Sequence, residues 1–132
     1  MTDGPAIYVF VRTDLPLADQ IVQVGHVCAL AASTFAVPDR CRLILLGLDN
    51  VDAIDAVIHR CEEHDIRVAS FFEPDPIDDG SPSPFQGEGW GEVRPMGLTA
   101  LCTEPIDKRR SRPLRRYRLW SGPLSFPRRG SG

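Results

Sequence analysis

Near its start the chain carries an almost unbroken apolar run, Ala6 to Arg12 (AIYVFVR), aromatic and β-branched. Continuous hydrophobicity over so few residues predicts a strand covered on both faces. The pattern then changes. Asp14 is available as a helix cap, Pro16 stands where a first helical turn tolerates proline, and a period of three to four residues follows. At 100° per residue, Ile21, Val24, Cys28, Ala31, Ala32 and Phe35 share about 100° of arc, the width of a core-facing stripe. Asp19, Gln23, His26 and Leu30 fall on the opposite side, the first three as i, i+4 and i+7 neighbours of one polar line.

After the Pro38-Asp39 break, Cys41 to Leu48 (CRLILLGL) predicts a second buried strand. Asp49 or Asn50 can cap a second helix whose apolar positions are Val51, Ile54, Val57, Ile58 and Cys61 and whose outer face is acidic. Arg67 to Phe72 (RVASFF) and Gly97 to Thr103 (GLTALCT) complete the set as strands three and four. The order βαβαββ calls for right-handed crossovers and a largely parallel α/β sheet with helices on its faces, the fourth strand being free to run antiparallel. Residues 75–96, rich in Gly, Pro and acids, follow neither period. They are expected to be an insert loop that the fold tolerates, with Trp90, flanked by glycines, the one residue arguing for a role. Residues 121–132 resemble the insert in composition and are expected to be a disordered basic tail, leaving one domain over residues 1–120.

At 132 residues the chain has room for a single small core. No apolar run has the length of a membrane helix, and the N-terminus lacks the basic region and cleavage site of a secretory signal. Cys28, Cys41, Cys61 and Cys102 show no Cys-x-x-Cys spacing and no neighbouring histidine pair, which argues for reduced thiols in a cytoplasmic protein and against a metal centre. His59 and His64 diverge, since five residues turn a helix through roughly 140° beyond a full turn. Charge changes the picture most. Residues up to Pro105 hold 6 basic side chains against 17 acids, whereas Ile106 to Gly132 holds 9 against one. A run DKRRSRPLRRYRLW, with Tyr117 and Trp120 among its arginines, suits phosphate contacts and stacking on unpaired bases, or else is a solvated basic tail.

Chemistry-bearing residues are few. A neutral imidazole at His26 beside Asp19 and Gln23 suits general-base activation of water, although the same three residues would also make an ordinary solvated stripe. There is no Gly-rich phosphate loop and no Gly-x-Ser-x-Gly elbow.

Four stretches taken together, VRTDL, QVGHVCALAA, FFEPD and LTALCTEP, resemble the type II (archaeal and eukaryotic) peptidyl-tRNA hydrolases and, more closely, their short bacterial and phage relatives. The likeness covers most of residues 6–119 apart from the insert. It implies an α/β three-layer sandwich about a mixed four-stranded sheet, hydrolysis of the ester between a peptide and the tRNA 3′ ribose, and no metal or organic cofactor. Carried over by position, it implies His26, Asp75 and Thr99 as catalytic residues and Gln23 as a positioning contact. Arg12, Asp14, Arg115 and Arg116 are the candidate substrate contacts, tRNA is the implied partner, and a homodimer is compatible. The family's lysine before the histidine is absent here, where Lys108 is the only lysine. That departure leaves open a non-catalytic RNA- or protein-binding module of the same fold.

Overall fold

The structure is a computed structural model that describes residues 4–73 and 97–121. Asp75, the insert 75–96 with Trp90, and nearly all of the expected basic tail lie outside the described residues. The elements are β1 (Ala6–Arg12), α1 (Leu17–Thr34), β2 (Arg42–Leu48), α2 (Val51–Glu63), β3 (Val68–Glu73), β4 (Gly97–Thr103) and a short 3-10 turn at Arg112–Leu114. The four strands form one sheet in the order β2-β1-β4-β3. β1 and β2 are parallel, whereas β4 runs antiparallel to both of its neighbours. The sheet is therefore mixed. β1 and β3 point the same way, but β4 lies between them.

Alternation along β1 separates two cores. Ala6, Tyr8 and Phe10 point to the side covered by α2, where they meet Ile54, Val57 and Cys61. Ile7, Val9 and Val11 point to the side covered by α1, against Val27, Ala31 and Phe35. A helix on each face of one sheet makes a three-layer α/β sandwich, and the buried run Ala6 to Val11 is its central seam. β2 was expected to be buried throughout. It is an edge strand instead, buried only toward Leu46 and Leu48, while Leu43 is 51% exposed.

Beyond β4 the chain crosses the α2 face and then the β2 edge. Leu114 and Tyr117 pack into the α2-side core, with Tyr117 edge-on to Phe10 at 5.4 Å and 87°. Residues 118–120 then lie alongside β2, bonded through Gly47 N–H to Arg118 O and Trp120 N–H to Leu45 O. Gly47 leaves room for the Thr13 methyl, from which a Cβ there would stand only 2.9 Å. Trp120 ends against α1, its indole N–H donating to Gln20 Oε1 at 2.8 Å. Both aromatic rings of the basic run are thus engaged in the fold rather than offered as stacking platforms.

α2 follows its sequence closely. Asn50 caps it, its side chain accepting from Ala53 N–H at 3.0 Å, and Ile54, Val57 and Cys61 are the buried stripe. α1 does not. Its cap position is Pro16, without a side-chain bond, and its buried residues are Gln20, Gln23, Val27 and Ala31. Relative to the expected stripe, the helix is rotated by roughly 80° about its axis, taking 100° per residue. Ile21, assigned to the core by pattern, is 58% exposed, and Leu17, Val22 and Leu30 are exposed as well.

Candidate functional site

The rotation of α1 brings its polar line to the seam between helix and sheet. What receives it is an irregularity in β4. Phe71 pairs with Ala100 and Phe72 with Leu98, which leaves Thr99 as an extra residue on β4. Strict alternation would send Thr99 to the α2 side along with Leu101. The bulge turns it instead to the α1 side, next to Ala100, as extra residues in antiparallel pairs do. There its hydroxyl donates to Gln23 Oε1 at 2.9 Å. Gln23 is 4% exposed and Thr99 is 0% exposed, so the bond satisfies polar groups of both within an apolar layer.

His26 lies one helical turn beyond Gln23, on the exposed rim of the same seam. Its ring stacks on Phe71 with centroids 4.7 Å apart and planes 12° off parallel. The stack fixes the imidazole plane while leaving the side chain open to solvent. At the end of β1, Arg12 donates from Nε and Nη2 to the two carboxylate oxygens of Asp14, at 2.9 and 3.0 Å. Its Nη1 also donates to Leu98 O at 3.3 Å, tying the end of β1 to the start of β4 beside the bulge. Asp14, expected as a helix cap, is therefore the partner of Arg12. The turn between β1 and α1 is held by Gln20, whose Nε2 donates to Leu15 O at 2.7 Å and to Thr13 O at 3.3 Å.

Of the residues implied as site residues, the fold gathers Gln23, Thr99 and His26 on the α1 side, while Arg12 and its partner Asp14 stand at the carboxyl end of β1, where alternation along the strand turns Arg12 toward the α2 side. Ligands of open α/β sheets commonly sit at such strand ends. Thr99 has no exposed surface, which makes it a support for Gln23 rather than a group that touches substrate. Asp75 lies outside the described residues. Arg115 and Arg116 are not gathered. Arg115 donates to Lys108 O at 2.9 Å and Arg116 stands over the Tyr117 ring at 5.8 Å, on the α2 side of the sheet. Sequence reasoning had no signal for the β4 bulge or for Phe71 as the ring beneath His26, because both follow from strand register.

Among the described residues no group of three His, Cys, Asp or Glu side chains is placed to hold a metal ion, and no helix is long and apolar enough to cross a membrane. All four cysteines are free. Burial pushes Cys102 up to about 12, with smaller contributions from the Cys28 and Cys41 thiols, and Cys61 up to about 11. Thiols held neutral in this way are packing groups rather than nucleophiles.

No family model and no curated protein matches the chain. Among solved structures it is similar to a protein of unknown function from Agrobacterium tumefaciens strain C58, with a TM-score of 0.62 and 13% identity over 92% of this chain and 100% of that one. At such identity the likeness shows the fold alone.

Proposed function

We propose that this chain is an ester hydrolase of the peptidyl-tRNA hydrolase kind, acting in the cytoplasm on the bond between a peptide and the tRNA 3′ ribose. The observation that carries the reading is the seam: an oriented, solvent-open His26 beside the buried Gln23–Thr99 pair, at the strand end that bears Arg12. His26 takes a proton from water as its oxygen adds to the ester carbonyl carbon. The ester C–O bond then breaks, and the ribose oxygen leaves with the proton returned by His26. Gln23 holds the helix register that presents His26, and Thr99 fixes Gln23. Arg12, at the end of β1, is assigned the part of the cation that would face the developing oxyanion, in place of the lysine that the resembling family carries.

Release of peptide from N-acetylated aminoacyl-tRNA by the full chain tests this. His26→Ala is expected to lower the rate by about a hundredfold or more, the usual contribution of a general base. Thr99→Val should lower it less and Thr99→Ser should restore it, as befits a positioning residue. Release that is unchanged in His26→Ala removes the assignment.

One observation favours a second reading, a non-catalytic module of the same fold. The Arg12 guanidinium is already engaged on two sides by Asp14, which spends its charge within the protein. In that case tRNA binds in a salt-sensitive manner and no peptide is released.

A further inference from the structure

The opposite end of the molecule carries an open cavity of about 490 Å³, lined by Arg60, His64, Arg109, Arg110, Arg112 and Pro113. Two elements build it. Arg60 comes from the last turn of α2, which ends at His64 and turns sharply through Asp65 in the left-handed region, φ 58°. Arg109, Arg110 and Arg112 come from the loop that follows β4 and crosses the α2 face. Arg110 joins the two walls, with Nη2 donating to Asp65 O at 2.8 Å and to Glu104 Oε2 at 3.2 Å.

The charge is not balanced within the cavity. Glu104 is shared between Arg110 and Arg67, and Asp107 accepts from the Arg110 backbone N–H at 2.8 Å. No ion pair joins Arg60, Arg109 or Arg112 to an acid among the described residues. The carbonyls at the end of α2 do not compensate either, since those of Arg60, Cys61 and Glu62 accept from the N–H groups of His64, Asp65 and Ile66. Three guanidiniums converging on one concavity repel one another, in a protein that is otherwise acidic. Planar forks with unused donors match phosphate oxygens two at a time, and the volume lies within the range of small-ligand sites. Among the described residues no Phe, Tyr or Trp lines the cavity, and four of its six lining side chains are guanidiniums, so phosphate contacts dominate what it offers.

We infer that this cavity is an anion site for closely spaced phosphate groups, held by Arg60, Arg109 and Arg112 with Arg110 bracing the wall. It lies on the α2 side at the β4 carboxyl end, across the sheet from His26, so it stands apart from the ester-hydrolase reading. The phosphates belong either to a small polyphosphorylated molecule or to a nucleic-acid backbone, and the two sources share this chemistry.

Calorimetric titration of the full chain with inorganic tripolyphosphate, and in parallel with a short single-stranded RNA, provides the test. Arg60→Gln and Arg112→Gln should each weaken tripolyphosphate binding by about tenfold, the scale of one lost charge-assisted contact. His26→Ala, at the other site, and Arg115→Gln, which removes an exposed charge outside the cavity, should leave it unchanged. Stronger RNA binding with the same dependence on Arg60 and Arg112 assigns the nucleic-acid source, and stronger tripolyphosphate binding assigns the small ligand. The site is overturned by equal weakening from Arg115→Gln and Arg60→Gln, or by no heat of binding from a chain whose circular dichroism shows it folded.

Discussion

The two helices cover opposite faces of one sheet, and they do so with different chemistry. α2 buries Ile54, Val57 and Cys61, points its acids outward and opens on an Asn50 cap. α1 buries two glutamines beside Val27 and Ala31, while Leu17, Ile21, Val22 and Leu30 face outward. A helix amide can replace an aliphatic side chain in a core only where another element presents its complement, because an unmatched buried amide costs about 1–3 kcal/mol. Here the complements come from far along the chain: Thr99 on the β4 bulge for Gln23, and the Trp120 indole for Gln20. No buried side-chain nitrogen or oxygen among the described residues lacks a partner. The comparison teaches that the helix with the irregular face is the one around which the candidate site is assembled.

The contrast can be broken by substitution. Ile54→Ala on α2 removes a fully buried side chain and should destabilise the protein by about 2–5 kcal/mol in urea unfolding. A loss near zero would mean that α2 is not anchored by its pattern. Against α1, Thr99→Val removes the hydroxyl that the Gln23 amide oxygen accepts from and should cost about 1–3 kcal/mol. Adding Gln23→Leu should recover part of that loss, so a double-mutant cycle reads a coupling between the two sites. Strict additivity would dissolve the pair on which the seam depends. Ile21→Asp should stay within about 0.5 kcal/mol of the parent, as surface changes do, whereas a stripe containing Ile21 would make it severely disruptive.

The subtlest expected effect lies just past β4, at Glu104. Burial raises the Glu104 carboxyl, but the Arg67 backbone N–H and the Arg110 and Arg67 side chains outweigh it and hold the group below the ordinary carboxylate value. Such a group stabilises the fold fully above its unfolded-state value, and the contribution is lost as pH falls through its folded value. Glu104→Gln should therefore flatten the acid limb of a plot of thermal midpoint against pH. An unchanged limb would show that Glu104 carries none of it.

Much of this architecture was legible in the residue pattern. The bounds of β1 and β4 agree with their apolar runs, and β3 begins one residue later than its run suggests. α2 presents the face that its spacing predicts. The reading failed where a polar residue is buried or a strand lies at an edge. Leu43 and Ile21 are apolar yet exposed, and Gln20 and Gln23 are polar yet buried. Of the site, His26 and Gln23 could be picked from their spacing on α1, and Thr99 only through the family resemblance. The ring beneath His26 and the cavity between α2 and the basic loop could not.

By itself, the sequence determined where the elements lie, that helices cover both faces of the sheet, and that the positive charge collects after β4. Those properties are local, set by hydrophobic period and by residue type. Tertiary structure alone decided how α1 turns about its axis, which face Thr99 occupies, and which arginines share a cavity. Each depends on a partner tens of residues away in the chain, and a one-residue bulge is enough to move a hydroxyl from one layer of the sandwich to the other.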